Sequence, residues 1–133
     1  HTFKSYQTGN QNYAGNWVPG FAPFQMFTEV RAQLNKSLFI SANIRGLARQ
    51  FVNDNNQIFV PGYLLSGIRC QYSLPLKRSG LEIISGVNNL FNVAYYANIR
   101  INAAANRFFE PASGRTIYLG LRFVFNGERN EGK

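Results

Sequence analysis

The segment Gly114–Phe125 (GRTIYLGLRFVF) alternates between two kinds of side chain, and this pattern constrains the fold more than any other feature. Every residue on one face of the corresponding strand is apolar: Ile117, Leu119, Leu121, Phe123 and Phe125. The opposite face is mixed: Thr116, Tyr118, Gly120, Arg122 and Val124. Because successive side chains of a strand point to opposite faces, this segment is predicted to be a β-strand with one wholly apolar side. A soluble sandwich shows the same alternation, so the pattern alone does not decide what that side contacts.

Alternation with a period of two residues fits six segments of the chain, which predicts an all-β fold. The predicted strands are Thr2–Thr8, Phe24–Leu34, Ser37–Phe51, Tyr63–Ser73, Leu81–Tyr95 and Gly114–Phe125. A two-residue turn at Asn35 and Lys36, and a short connection with Pro75 and Gly80 as strand breakers, alternate with three long loops. We therefore expect an antiparallel up-and-down meander of about six strands with all its long loops at one end, as in outer-membrane barrels.

Aromatic residues near the long-loop ends fit the girdle found where a barrel meets the bilayer surface: Trp17, Tyr63, Tyr95 and Tyr96. No stretch approaches the roughly 18 apolar residues of a transmembrane helix, whereas transmembrane strands need only about 9–11 residues each. The sequence thus excludes membrane helices and leaves a membrane β-barrel open.

The net charge of +8 comes from 14 basic and 6 acidic residues. Apart from the adjacent pair Lys77 and Arg78, the basic residues are spread singly along strands and loops. Such scatter favours the wet face of a sheet over a phosphate-binding groove, so we expect no nucleic-acid partner. On the predicted polar faces, Glu29 and Glu82 share their side with four arginines: Arg31, Arg45, Arg69 and Arg122.

The residue types needed for catalysis or metal binding are scarce. There is one histidine, His1, and one cysteine, Cys70, so neither a Ser-His pair, a zinc site nor an internal disulfide framework is expected. The carboxylates lie on different predicted elements: Glu29, Asp54, Glu82 and Glu110. We predict no enzyme, no cofactor and no metal site. Because the chain starts at His1 and its first methionine is Met26, we also expect a processed or excised piece, with one β segment over residues 1–125 and a polar tail over 126–133.

Several phrases of the chain resemble the TonB-dependent outer-membrane receptors, in the C-terminal part of their β-barrel. The phrases are GNWVPGFAP at Gly15–Pro23, VPGYLLSGIRCQYSL at Val60–Leu74, GVNNLFNVAYY at Gly86–Tyr96 and SGRTIYLGLRFVF at Ser113–Phe125. The specific feature is a combination: an Asn-Leu-Phe-Asn phrase followed by a tyrosine pair, then Gly-Arg and a closing aromatic strand. The order and spacing of the phrases resemble those of the family's last six strands.

The resemblance implies a 22-stranded barrel in the outer membrane of a Gram-negative bacterium, filled by an N-terminal plug. It implies energy-dependent uptake of a scarce nutrient, most often a ferric siderophore. The partners would be outer-membrane lipid, the plug and remaining strands, the TonB protein, the barrel-assembly machinery and a small-molecule cargo. Gly120, Phe123 and Phe125 match the family's barrel-assembly signal. The chain departs from the family after Phe125, because such receptors usually end on this aromatic residue and here NGERNEGK follows.

The long loops carry the predicted contacts to a ligand, because arginine suits carboxylate or phosphate groups and aromatic rings suit flat molecules. The candidates are Tyr13, Trp17, Asn53, Asn55, Asn98, Arg100 and Arg107. Loops rich in asparagine and glycine are also what ordinary solvated turns look like, so this second interpretation stays open.

Two soluble alternatives to the membrane receptor remain. One is an OB-like barrel that grips single-stranded nucleic acid by charge and stacking, and the other is a lipocalin-like carrier with an apolar interior. Six strands are too few to close a water-filled pore. If this segment folds alone, we expect its apolar side chains to turn inward.

Overall fold

The computed structural model describes residues 1–76, 79–104 and 107–125. These residues form eleven β-strands: β1 (Gln7–Thr8), β2 (Gln11–Asn12), β3 (Gln25–Gln33), β4 (Leu38–Leu47), β5 (Gln50–Phe51), β6 (Phe59–Val60), β7 (Tyr63–Leu76), β8 (Ser79–Asn88), β9 (Tyr96–Ile99), β10 (Phe109–Pro111) and β11 (Thr116–Phe125). No helix in the described part of the chain is long and apolar enough to span a membrane.

Five strands form one antiparallel sheet in the order β11-β8-β7-β4-β3. This confirms the predicted all-β antiparallel architecture. Three short strand pairs were not predicted or were placed differently: β1 pairs with β2, β5 with β6, and β9 with β10. The predicted first strand, Thr2–Thr8, does not join the large sheet, because Thr2 bridges to Trp17 while Gln7 and Thr8 turn back at Gly9 to pair with β2.

The end of β7 and the start of β8 differ from the prediction because of how these strands pair with their neighbours. Pro75 and Gly80 do not break the sheet, since they pair with each other near the end of the β7–β8 hairpin. Proline lacks an N–H and is tolerated where no second neighbour needs one. The pairing of β7 with β4 ends at Tyr72 opposite Leu38, so Pro75 has a partner strand on one side alone.

Hydrogen bonds of asparagine side chains set the boundaries at the β3–β4 turn and at the end of β8. The β3–β4 turn has three residues rather than two, since Leu34 N–H donates to Leu38 O and Asn35 Oδ1 accepts from the N–H groups of Ser37 and Leu38. Strand β8 ends at Asn88 rather than continuing to Tyr95. Asn89 takes a left-handed backbone conformation (φ 50°), which asparagine tolerates, and its side-chain amide bonds both the N–H and C=O of Val93 at 2.8 Å.

The register places mainly apolar side chains on one face of the sheet, and the Arg and Glu side chains of its strands on the other. Across β7, β8 and β11 one row joins Ile68, Val87 and Ile117, and a polar row joins Arg69, Gly86 and Tyr118. The apolar face is open: Ile117 is 77%, Leu119 73% and Leu121 60% exposed. The expectation that these residues turn inward in the isolated segment is therefore wrong. An open apolar face also speaks against a soluble OB-like or lipocalin-like barrel, whose apolar side chains are enclosed.

The buried apolar core lies in the loops rather than in the sheet. Among the described residues, the buried hydrophobic side chains are Val52, Val60 and Phe108, which are 0%, 4% and 5% exposed. They come from the loop regions that follow β4 and β9, at the end of the sheet from which all the long loops emerge. The loops therefore form a packed cluster above the open sheet.

Candidate functional site on the polar face and loop cluster

The polar face of the sheet carries charges that pair across and along its strands. Arg122 Nη2 lies 2.6 Å from Glu82 Oε2, and these two residues are direct neighbours in the register of β11 and β8. Glu82 also accepts a 3.4 Å hydrogen bond from Gln71 on β7. Arg31 pairs with Glu29, two positions earlier on β3. The prediction that both glutamates share this face with the arginines is confirmed.

Two arginines of the same face, Arg45 and Arg69, form no ion pair with any described residue. Arg45 lies opposite Leu65 and Arg69 opposite Ser41 in the β4–β7 register. Neither neighbour offers a carboxylate, so both arginines lack a carboxylate partner within the part of the chain that the structure describes.

Glycines leave hollows on this face that larger side chains cover. A Cβ at Gly86 would clash with the Tyr118 ring, with Cζ at 2.5 Å, and would lie 2.7 Å from the Ile68 carbonyl oxygen. A Cβ at Gly67 would lie 3.1 Å from Asn43 Nδ2. Tyr118 thus lies over the backbone of β8, and Asn43 lies over the backbone of β7. Both side chains line one pocket, although they come from separate strands.

Two pockets open on the polar face and share Asn43. The first, of about 370 Å³, includes Glu29, Arg31, Arg69, Gln71 and Tyr118. The second, of about 310 Å³, lies nearer the long loops and includes Arg45, Asn88, Tyr95, Ser113 and Thr116. Both are lined mainly by hydrogen-bonding groups, so they suit a polar ligand.

Three loop segments are joined by asparagine side chains. Asn56 Oδ1 accepts from the Trp17 N–H at 2.6 Å, and Asn56 Nδ2 donates to Trp17 O at 2.9 Å. Asn16 Nδ2 donates to Asp54 O at 2.7 Å, and Asn102 Nδ2 donates to Asp54 Oδ2 at 2.9 Å. Together these bonds hold residues 16–17, 54–56 and 102 in one unit.

The structure assigns structural contacts to several of the predicted ligand-contact residues. Asn98 Nδ2 donates to Glu110 Oε2 at 3.1 Å, and Arg100 donates to Glu110 Oε1 from Nε at 2.9 Å and Nη2 at 2.7 Å. Asn53 Oδ1 accepts from the Ile58 N–H at 3.1 Å, and Asn55 Nδ2 donates to Gln57 Oε1 at 2.9 Å.

The other three predicted contacts, Tyr13, Trp17 and Arg107, lie at the surface. Tyr13 stacks on Tyr6 with 5.4 Å between ring centroids, and its hydroxyl donates to Gln11. Trp17 is 40% exposed, and Arg107 is exposed beside the buried Phe108. For all seven residues, contact with a ligand stays a prediction.

The Arg100–Asn98–Glu110 contact lies on the β9–β10 hairpin, outside the large sheet. The hydrogen bond from Arg100, then that from Asn98 and the charge of Arg100, holds the pKa of the exposed Glu110 carboxyl below its ordinary value of 4.5. A carboxylate that accepts hydrogen bonds is favoured in its charged form. The hairpin is thus cross-linked most strongly when Glu110 is ionised.

The proposed aromatic girdle is only partly consistent with the register. Tyr63 lies opposite Leu47 at the start of β7, on the same face as Arg69, and its ring is 4.8 Å from that of Tyr95. Tyr63 therefore lies on the polar face of the sheet and not on the apolar face, since its position in β7 is an even number of residues from Arg69. The Tyr96 ring packs at a tilt against that of Phe109 within the β9–β10 hairpin, with 4.9 Å between ring centroids.

The predicted assembly residues lie on β11, the last strand of the sheet. Phe123 and Phe125 project from the apolar face and are 58% and 80% exposed, whereas Gly120 lies opposite Ile84 on the other face. Recognition by an assembly machinery stays a prediction. The predicted tail, residues 126–133, lies outside the described residues. No group of three or more His, Cys, Asp or Glu side chains that could hold a metal ion occurs within the described ranges.

Solved structures that share this arrangement of strands include two proteins of iron uptake, by their names. BauA, the ferric preacinetobactin receptor from Acinetobacter baumannii, is 23% identical with a TM-score of 0.68, and the match covers 84% of this chain and 16% of BauA. The ferric citrate transporter FecA, in its unliganded form, is 21% identical with a TM-score of 0.73, covering 84% of this chain and 18% of FecA. No protein-family profile matches the sequence.

Both solved structures share the strand arrangement of this chain, which confirms the antiparallel fold of a β-barrel segment that the sequence resemblance implied. The chain has the fold of a section of such a barrel wall, and it spans less than a fifth of either receptor. Sequence reasoning identified the polar face but missed the overlap of Tyr118 with Gly86 and the shared pocket residue Asn43. Both features depend on which residues of neighbouring strands pair, and the alternation of side chains does not determine that register.

Proposed function

We propose that this chain is part of the wall of an outer-membrane receptor for energy-dependent uptake of a scarce nutrient, with a ferric siderophore as the cargo. The observation that carries the proposal is the two-faced sheet: an apolar side left open on strands of 9 to 14 residues, and a charged side with polar pockets. Strands of this length cross a bilayer, and only the apolar side is compatible with hydrocarbon.

The same geometry supports lipid, the plug and further barrel strands as the proposed partners. The apolar face would meet outer-membrane lipid, and the polar face would meet the water-filled lumen and the plug. The outer strands of the described sheet, β3 and β11, have unsatisfied edges that further strands of the parent barrel would complete. TonB and the barrel-assembly machinery would act on the parent protein, the latter through Gly120, Phe123 and Phe125.

The loop cluster would face the outside, because every long loop leaves the sheet at the same end. The exposed Trp17, Asn55 and Arg107 and the half-buried Tyr13 are the proposed contacts for incoming cargo. Asn53, Asn98 and Arg100 would act chiefly by holding the loops in shape, since their side chains already bond other loop residues.

The function is tested in iron-starved cells that make the full-length protein carrying this chain and lack other receptors for the same chelate. We expect the protein in the outer-membrane fraction, and uptake of radioactive iron from ferric siderophores that stops when a protonophore removes the energy source. Cells with an empty vector are the control. Recovery of the protein without detergent, or unchanged uptake for every chelate tested, would contradict the proposal.

The wall geometry has a separate test that does not depend on cargo. Single nitroxide labels are placed along β11 from residue 117 to 124 in a Cys70→Ser background, with the full-length protein in bilayers. Oxygen, which concentrates in lipid, should relax labels at positions 117, 119, 121 and 123, and a water-soluble neutral nickel chelate should relax those between them. A pattern without this alternation is inconsistent with a lipid-facing strand.

A further inference from the structure

The charge balance of the polar face points to a ligand chemistry. Of its four arginines in the large sheet, Arg31 and Arg122 are matched by Glu29 and Glu82. Arg45 and Arg69 have no carboxylate partner within the described residues. An uncompensated charge in a concave wall raises the local concentration of ions of opposite sign.

The two unmatched arginines are aligned with Asn43 along the sheet. Asn43 lies two positions from Arg45 on β4, and Arg69 lies opposite Ser41, two positions further along the same line. At about 3.3 Å per residue, Arg45 and Ser41 are roughly 13 Å apart along β4, and Arg69 lies beside Ser41 on β7. We call Arg45, Asn43 and Arg69 the cationic track.

The track connects the two pockets of the polar face. Arg45 lines the pocket nearer the loops, Arg69 lines the pocket nearer the tight turns, and Asn43 lines both. Gly67 provides the room between them, because any larger residue would press on the Asn43 amide, which would lie 3.1 Å from its Cβ. A ligand leaving the loop cluster therefore meets donor groups in sequence along one wall.

We propose that the cationic track binds carboxylate groups of an anionic cargo as the cargo passes along the wall, which makes the transported chelate an acidic one. This inference rests on the proposed function. Guanidinium groups bind carboxylates with two parallel hydrogen bonds, and an amide N–H₂ adds a donor between them. Pores lined by arginine favour anions for the same reason. Glu29 also lines the pocket nearer the tight turns, but its charge is matched by Arg31.

The test measures the local potential with a probe of known charge. Nitroxide labels are placed at Ser41, opposite Arg69, and at Leu65, opposite Arg45, in the full-length protein with Cys70→Ser. Relaxation by tris(oxalato)chromate(III), a trivalent anion, is compared with relaxation by a neutral nickel chelate at the same concentration. We expect the anion-to-neutral ratio at both labels to exceed its value in free solution.

Removing one charge should lower the ratio at the nearer label. For a trivalent anion about 10 Å away at physiological salt, a screened unit charge changes the ratio about twofold. Arg69→Gln should cause that loss at position 41, and Arg45→Gln at position 65. Arg69→Lys should preserve the ratio, because it keeps the charge. Lys36→Gln, in the tight turn after β3, is the matched control and should leave both labels unchanged.

The outcomes separate the two proposals. If the neutral probe does not reach either label, the polar face is not a water-filled wall, and the proposed function itself is contradicted. If the neutral probe reaches both labels and the ratio equals that of free solution, the proposed function is retained and the proposed role of the cationic track is refuted. In that case carboxylates elsewhere in the parent protein already neutralise the two arginines.

Discussion

The Tyr118 side chain of β11 lies directly over Gly86 of β8, its partner in the sheet register. The glycine has no side chain, so the ring covers a backbone surface that would otherwise be bare. Such aromatic cover of a strand glycine is a device that fixes register between neighbouring strands.

Gly86→Ala should destabilise the sheet because the new methyl group meets Tyr118 Cζ at 2.5 Å and the Ile68 carbonyl oxygen at 2.7 Å. Overpacking of this kind costs about 1–3 kcal/mol. The measurement is urea unfolding of the full-length protein in bilayers. Gly80→Ala is the matched control, because the nearest atom to its added Cβ is 3.9 Å away. Adding Tyr118→Ala to Gly86→Ala should restore part of the loss, and an unaltered midpoint in Gly86→Ala would count against the contact.

Asn56→Ala should loosen the N-terminal segment, because the Asn56 amide makes both hydrogen bonds to the Trp17 backbone. Two bonds at a partly exposed site are worth about 1 kcal/mol, or roughly a fivefold change in local opening. Hydrogen exchange at the Trp17 amide reports it. Asn55→Ala is the control, since the Asn55 side chain bonds residue 57 alone. Equal exchange rates in the two variants would show that Asn56 is not the link.

Alternation of side chains was sufficient to locate the five strands of the large sheet and to assign their faces. The apolar row of β11 and the arginines of β4 and β7 lie on the predicted faces. A strand with one face that is buried or in contact with lipid has apolar residues at every second position. The Thr2–Thr8 segment alternates as well, but it is short and polar, so its pattern holds no information about which strand it joins.

The remaining features depend on contacts between distant residues. Asn56 and Trp17 are 39 positions apart, and no local pattern marks their pairing. Whether Arg45 and Arg69 have partners depends on register, which sets Leu65 and Ser41 opposite them. Likewise, the continuation of β7 through Pro75 follows from where β4 begins. Strand ends and charge balance are thus properties of the pairing rather than of any one segment.

Acid should release the β9–β10 hairpin. The pKa of Glu110 is lowered by its hydrogen bond from Arg100, so the folded hairpin favours the ionised carboxyl. Its contribution to stability is therefore present above the ordinary value of 4.5 and is lost as the pH falls through the lower pKa of the folded state. A nitroxide at the exposed Ala97 should become more mobile over that range. Glu110→Gln should be mobile at neutral pH and insensitive to acid; retained pH sensitivity in this variant would assign the transition to another group.

Leu119→Arg should disrupt the wall, because Leu119 is 73% exposed near the middle of β11 on the face proposed to meet lipid. An arginine on the lipid side near the bilayer midplane costs about 2–4 kcal/mol. Gln71→Arg introduces the same side chain on β7, on the opposite face and beside Glu82, where water and a carboxylate are available.

The two variants separate lipid exposure from a general intolerance of charge in the sheet. Urea unfolding of the full-length protein in bilayers should show a large loss for Leu119→Arg and a change within about 1 kcal/mol for Gln71→Arg, the range of an exposed ion pair. Equal losses in both variants would mean that the two faces see the same surroundings, which is incompatible with a wall between lipid and lumen. A loss confined to Gln71→Arg would reverse the assignment of the faces.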